Sequence, residues 1–158
     1  MSLAIKPAPV KKTLVVAATP QTAFEVFTTG FDRWWPRSHS IGEAPLQTAV
    51  IEGRQGGRWY GLLENGREAE WGDVLAWDPP RRLLLAWRIG ADWKYDPQLL
   101  TEVEVVFTPE GEGTRVNFEH RLLENMGEQA EGARASFDSE GGWTGLLRMF
   151  AAEAAKGS

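Results

Sequence analysis

Cysteine is absent from the 158 residues, which excludes disulfides, thiolate catalysis and zinc sites built on sulfur. Histidine is scarce: His39 and His120 are the two imidazoles, and they form no HxxxH-type pair. No metal and no cofactor is therefore expected. No basic run exceeds a pair (Lys11-Lys12, Arg81-Arg82) and the formal net charge is −5, so nucleic acid and anionic membrane are poor partners. Long apolar runs are missing too. "LVVAA" near the N-terminus is shorter than the roughly 7–15 residues of a secretory signal core. "LLLAW" at 83–87 falls far short of the ~20 residues that span a bilayer. Neither a G-x-S-x-G elbow nor a phosphate loop is present, since "GRQGG" lacks the Lys-Ser/Thr that would follow. These absences describe a soluble, cytoplasmic protein without an obvious catalytic motif.

What the chain has in quantity is tryptophan, eight residues against two tyrosines. Burying one such ring removes about 150–250 Å² from water, a gross gain of roughly 4–6 kcal/mol. Most of the eight must be core. The segment "FDRWWPRSHSIG" (31–42) sets two of them four residues before His39. Phe31, Trp34 and Trp35 fall at i, i+3 and i+4, one face of a short helix that Pro36 ends. This reads as a structural plug, with Trp35 and His39 at the rim of any cavity it closes.

The remaining pattern is mostly strand. "TLVVAA" (13–18) is a first strand, and Thr19 with Pro20 opens a short helix that Gly30 stops. Six further strands follow at 46–51, 57–63, 67–77, 81–89, 100–107 and 114–122, separated by turn chemistry such as "ENG" and "DPP". Short connections require antiparallel pairing. Gly56-Gly57 marks a bend or bulge. The strand at 67–77 phases in two ways; the preferred one points Gly72, Val74 and Ala76 inward and leaves Trp71 and Trp77 on the outer face, where they form a candidate partner-binding patch. Trp143, Leu146, Leu147, Phe150, Ala151 and Ala154 then follow one helical stripe, with Asp138 or Ser139 as its cap. The expected architecture is α+β: a seven-stranded antiparallel sheet wrapped around a long C-terminal helix, with two short helices after the first strand. It forms one domain over 13–156 behind an N-terminal extension, 1–12, and is a monomer or homodimer.

The stretches "IEGRQGGRWYG", "WGDVLAWDPPRRLLLAWRI", "TEVEVVFTPEGEGTRVNFEHR" and "GWTGLLRMFAAEA" resemble bacterial proteins related to the activator of the ninety-kilodalton heat-shock chaperone's ATPase. These belong to the START-like, birch-pollen-allergen-like SRPBCC superfamily. The resemblance covers residues 13 to 156 and implies the helix-grip fold. For function it implies a range: lipid carriage, hormone binding, polyketide cyclisation or contact with a chaperone.

Strand parity aims His120 at the concave face beside Val116 and Phe118. An imidazole there either hydrogen-bonds or deprotonates a ligand, or is a core histidine tied to neighbouring groups. Trp87, Phe107, Phe118, Trp143, Leu147 and Phe150 share that interior, either as the lining of an apolar cavity or simply as core. The reading adopted is non-catalytic binding of a small, largely apolar or aromatic molecule between sheet and helix. His120 would supply one directional hydrogen bond. The alternatives are a chaperone-accessory module and, behind it, a cyclase- or hydrolase-type enzyme.

Overall fold

The computed structural model describes residues 7–156; residues 1–6 of the expected extension lie outside that range. The chain runs β1 (Val10–Val16), α1 (Pro20–Phe27), α2 (Phe31–Trp34), β2 (Leu46–Ile51), β3 (Arg58–Leu63), β4 (Glu68–Asp78), β5 (Arg82–Trp87), β6 (Thr101–Glu110) and β7 (Gly113–Arg121). A 3-10 segment (Leu123–Gln129), α3 (Ala130–Phe137) and α4 (Trp143–Lys156) complete it. All seven strands form one antiparallel sheet in the order β1-β7-β6-β5-β4-β3-β2. This is the helix-grip arrangement, a curled sheet closed on its concave side by α4. Among the described residues no helix is long and apolar enough to cross a membrane.

The hairpin chemistry behaves as the sequence suggests. Gly66 sits at φ 84°, Leu63 N–H donates to the Arg67 carbonyl, and the Asn65 side chain accepts from the Arg67 N–H, so "ENG" makes the tight β3–β4 turn. Thr19 caps α1 by accepting from the Thr22 N–H at 3.2 Å. β1 starts at Val10, so Val10 to Lys12, expected in the extension, pair with His120 to Phe118 of β7.

Three local expectations need correction. The preferred phase of β4 holds only in its middle, because the strand carries two bulges. Tyr60 pairs with Glu70 and Trp59 with Gly72, leaving Trp71 as an extra residue; Val74 pairs with Leu85 and Ala76 with Leu84, leaving Leu75 extra. Each bulge inverts the alternation. Trp71, Gly72, Val74 and Trp77 therefore all face inward, while Ala76 lies outside beside Leu84. Trp71 is 1% exposed, and Trp77 packs edge-on against Phe24 at 5.0 Å. No outer-face tryptophan patch exists in β4. Second, residues 123–137, between the last expected strand and the expected C-terminal helix, fold as the 3-10 segment and α3. Ala130, Ala133 and Phe137 are its buried stripe. Third, neither expected cap serves α4: the Asp138 carboxylate pairs with Lys12 at 2.5 Å, and the Ser139 hydroxyl donates to the Ser136 carbonyl at 2.6 Å.

Candidate functional site

The interior splits into a filled half and a hollow half. In the filled half, Phe24 and Phe27 of α1 meet Phe107 of β6 at 5.3 and 6.3 Å, and Phe27 meets Phe150 of α4 at 5.1 Å. Phe107, Leu147 and Phe150, expected on a cavity wall, are thus ordinary core. Phe118 stands behind the wall, its ring 4.5 Å from that of Trp143.

The hollow lies at the N-terminal end of α4, a cavity of about 320 Å³. Trp71 of β4, Trp87 of β5 and Trp143 of α4 form its floor. Phe137 at the end of α3 and Trp35 after α2 form its sides. The rings are mutually locked: Trp87 lies 5.8 Å from Trp143 and 5.4 Å from Phe137, and Trp35 lies 5.6 Å from Trp71. Polar groups sit at the mouth, namely Ser38, His39 and Ser40 on one lip and Ser136, Ser139 and Gly141 on the other. An apolar, aromatic lining with a few polar groups at the edge suits small-molecule recognition.

His39 joins the two lips. A carbonyl only accepts, so the imidazole Nε2 donates to the Gly141 carbonyl at 2.6 Å, while Nδ1 lies 2.9 Å from the Ser38 hydroxyl. The Trp35 indole N–H donates to the His39 carbonyl at 2.6 Å and fixes this loop against the floor. "FDRWWPRSHSIG" therefore does two jobs. Phe31 and Trp34 plug the core, with the Trp34 N–H donating to the Val26 carbonyl at 3.0 Å. Trp35 to Ile41 build a wall.

His120 has a different place. It is fully buried beneath the floor and lies off the cavity wall. The Trp143 indole N–H, which only donates, meets Nδ1 at 3.1 Å, so the proton is on Nε2. Nε2–H donates to the Thr101 hydroxyl at 2.9 Å, and that hydroxyl donates to the Trp87 carbonyl at 2.8 Å. Burial pushes the imidazole from its ordinary 6.5 down to about 3, so it stays neutral. Both ring nitrogens are occupied and none is left for a ligand. His120 instead ties two floor tryptophans together from behind. Among the described residues no cluster of acidic or imidazole side chains is arranged to hold a metal.

The family model described as Activator of Hsp90 ATPase homolog 1-like protein matches residues 17–155. The chain belongs to this family. Among solved structures, it is similar to the anthrahydroquino-γ-pyrone synthase Txn09, in complex with a ligand designated SUM. The identity is 37%, covering 93% of this chain and 97% of that one, with a TM-score of 0.65. It is also similar to CalC, a self-sacrificing resistance protein from Micromonospora echinospora, at 30% identity over 95% and 96% of the two chains and a TM-score of 0.72. The Aha1 dimer from Colwellia psychrerythraea shares the fold at 14% identity, covering 96% and 99%, with a TM-score of 0.63. No curated protein matches the chain.

In this member of the Hsp90-ATPase-activator homologue family, Trp87 and Trp143 line the hollow, Trp35 forms one side of it and His39 stands at its rim. Sequence reading missed Trp71, Trp93 and Phe137. Trp93 had a signal, an isolated aromatic in the turn-rich "GADWKYDP"; it is 52% exposed over the mouth. Phe137 had the i, i+3, i+7 stripe of α3, diluted by the glycines and glutamates around it.

Proposed function

We propose that this protein binds a small, planar, largely apolar molecule in the cavity at the N-terminal end of α4, without transforming it. The observation that carries the reading is the floor: three tryptophans and Phe137 around about 320 Å³, near the lower end of the roughly 300–1,000 Å³ usual for ligand pockets. A flat ring system gains both area and offset stacking there, whereas a flexible acyl chain gains area alone. A relative at 37% identity, named as an anthrahydroquino-γ-pyrone synthase, supports small-molecule work. The test is tryptophan quenching titrated with 1-(methylamino)anthraquinone, with a saturated fatty acid as the contrast. The quinone is expected to saturate, and Trp93→Ala to weaken it roughly two- to tenfold, the worth of one stacked ring pair. Unsaturable quenching by the quinone would overturn the reading.

Catalysis on the bound ring is the second reading, favoured by the synthase relative. In this chain the imidazole at the cavity is His39, and a proton-moving role there requires it to release the Gly141 carbonyl or the Ser38 hydroxyl that its two ring nitrogens engage. A chaperone-accessory role, which the family's name carries, loses the exposed Trp71 and Trp77 on which a docking patch was to rest.

A further inference from the structure

The aromatic cavity does not end at its side wall. Beyond Trp93 and Phe137 lies a second hollow of about 480 Å³, and these two rings, with Ser136, line both. Its character is different. Gly90 and Ala91 border it on the β5–β6 connection, Gly132 and Ala133 on α3, and Glu128 and Gln129 at the turn before that helix. Small side chains keep it open, and its remaining polar groups are an amide, a hydroxyl and a carboxylate. Glu128 has no ion-pair partner among the described residues.

Trp93 marks the joint. Its backbone is left-handed at φ 61°, an uncommon conformation for a bulky side chain, which costs on the order of 1–3 kcal/mol and persists only where the surroundings enforce it. Here they do: Trp93 N–H donates to the Gly90 carbonyl at 2.9 Å, Gly90 N–H to the Lys94 carbonyl at 2.9 Å, and Lys94 N–H to the Asp92 carboxylate at 3.1 Å. The loop holds an exposed indole, edge-on to Phe137 at 6.1 Å, where the two hollows meet. Nothing in core packing requires it there.

We propose that the site is bipartite and takes a planar aromatic molecule bearing a flexible, cationic arm. The ring system lies on the tryptophan floor, the arm passes Trp93 and Phe137, and its ammonium group meets Glu128. This rests on the aromatic-ligand reading above and specifies the ligand class within it.

Gly132 supplies the test. Gly132 lines this hollow and a Cβ built there meets nothing within 4 Å, so the position has room for a side chain at the cleft. Leucine also favours the helix by roughly 1 kcal/mol over glycine, so Gly132→Leu is expected to fold. Binding is measured for 1-(methylamino)anthraquinone and for its counterparts with a butyl arm ending in ammonium or carboxylate. With the natural chain the ammonium probe is expected to bind roughly two- to fivefold tighter than the armless one, as an ion pair with the exposed Glu128 warrants, and the carboxylate probe no tighter. Gly132→Leu should abolish that gain and leave the armless probe unchanged, and Glu128→Gln should bring the two charged probes level. If the armless probe binds but the ammonium arm adds nothing, or its gain survives in Gly132→Leu, the bipartite site is wrong and the aromatic reading stands. If neither probe saturates, both fall together.

Discussion

Lowering the pH is the sharpest probe of the His120 network. In the folded protein the imidazole stays neutral down to about pH 3, because protonation would place an unsolvated charge in the core. In the unfolded chain it takes up a proton near its ordinary 6.5. The unfolded state therefore binds the extra proton between these values. Its contribution to stability is complete above about pH 6.5 and falls by roughly 1.4 kcal/mol per unit as the pH drops towards 3. Between pH 6.5 and 4.5 the loss is roughly 3 kcal/mol, and over the whole window about 5 kcal/mol, comparable with the entire stability of many domains. The upper part of the window is diagnostic. Carboxyls such as Asp138, held below the ordinary value by Lys12, lose their contribution only at lower pH. Urea unfolding followed by tryptophan emission from pH 7 to 4.5 measures the slope, with His120→Gln as the reference, since an amide offers one acceptor and one donor but takes up no proton. The reference should be flatter by about 1.4 kcal/mol per unit. Parallel profiles would refute the argument, as would an NMR titration of the natural protein in which His120 protonates above pH 5.

Three other perturbations follow from packing. A Cβ at Gly72 would lie 1.7 Å from the Ala86 carbonyl oxygen, so Gly72→Ala must part β4 from β5 at a cost of about 3 kcal/mol or more; loss of dispersed amide NMR signals would show it. The indole N–H of Trp71 is buried with no hydrogen-bond partner. Trp71→Phe removes that unsatisfied donor and should change stability by only about 1 kcal/mol in urea unfolding, whereas Trp71→Ala should cost roughly 3–5 kcal/mol. His39→Ala cuts the hydrogen bond to Gly141 across the mouth. It should cost about 1 kcal/mol of stability and speed dissociation of a bound anthraquinone in stopped-flow fluorescence, with far-UV circular dichroism unchanged.

The fold was legible because its signals are periodic and local. Alternation in β6 and β7, turn residues between strands and the stripe from Trp143 to Ala154 each act over a few residues, and a curled sheet gripping a helix accommodates them together. The site was legible only in part. Parity correctly turned His120 and Trp87 inward, yet it carries no depth, and depth separates a floor residue from the group beneath it. Trp71 escaped because a bulge shifts the alternation by one residue while leaving no mark on composition. Trp35 and His39 reach the cavity because the chain after Pro36 folds back to Gly141, 102 positions away, a contact no local pattern encodes.

The imidazole that holds Trp87 and Trp143 from behind also divides the labour of change. One side of the cavity is continuous with the sheet core, so a substitution there risks the whole molecule before it alters what is bound. The other side is loop: Ser38 to Ile41, Trp93, and the turn before α4. Those positions bury little and can vary at small cost to folding, except Gly142, where a Cβ would lie 2.4 Å from the Ser136 carbonyl oxygen. A lineage built on this frame is free to exchange one ligand for another by rewriting the lips alone, with the tryptophan floor passed on intact.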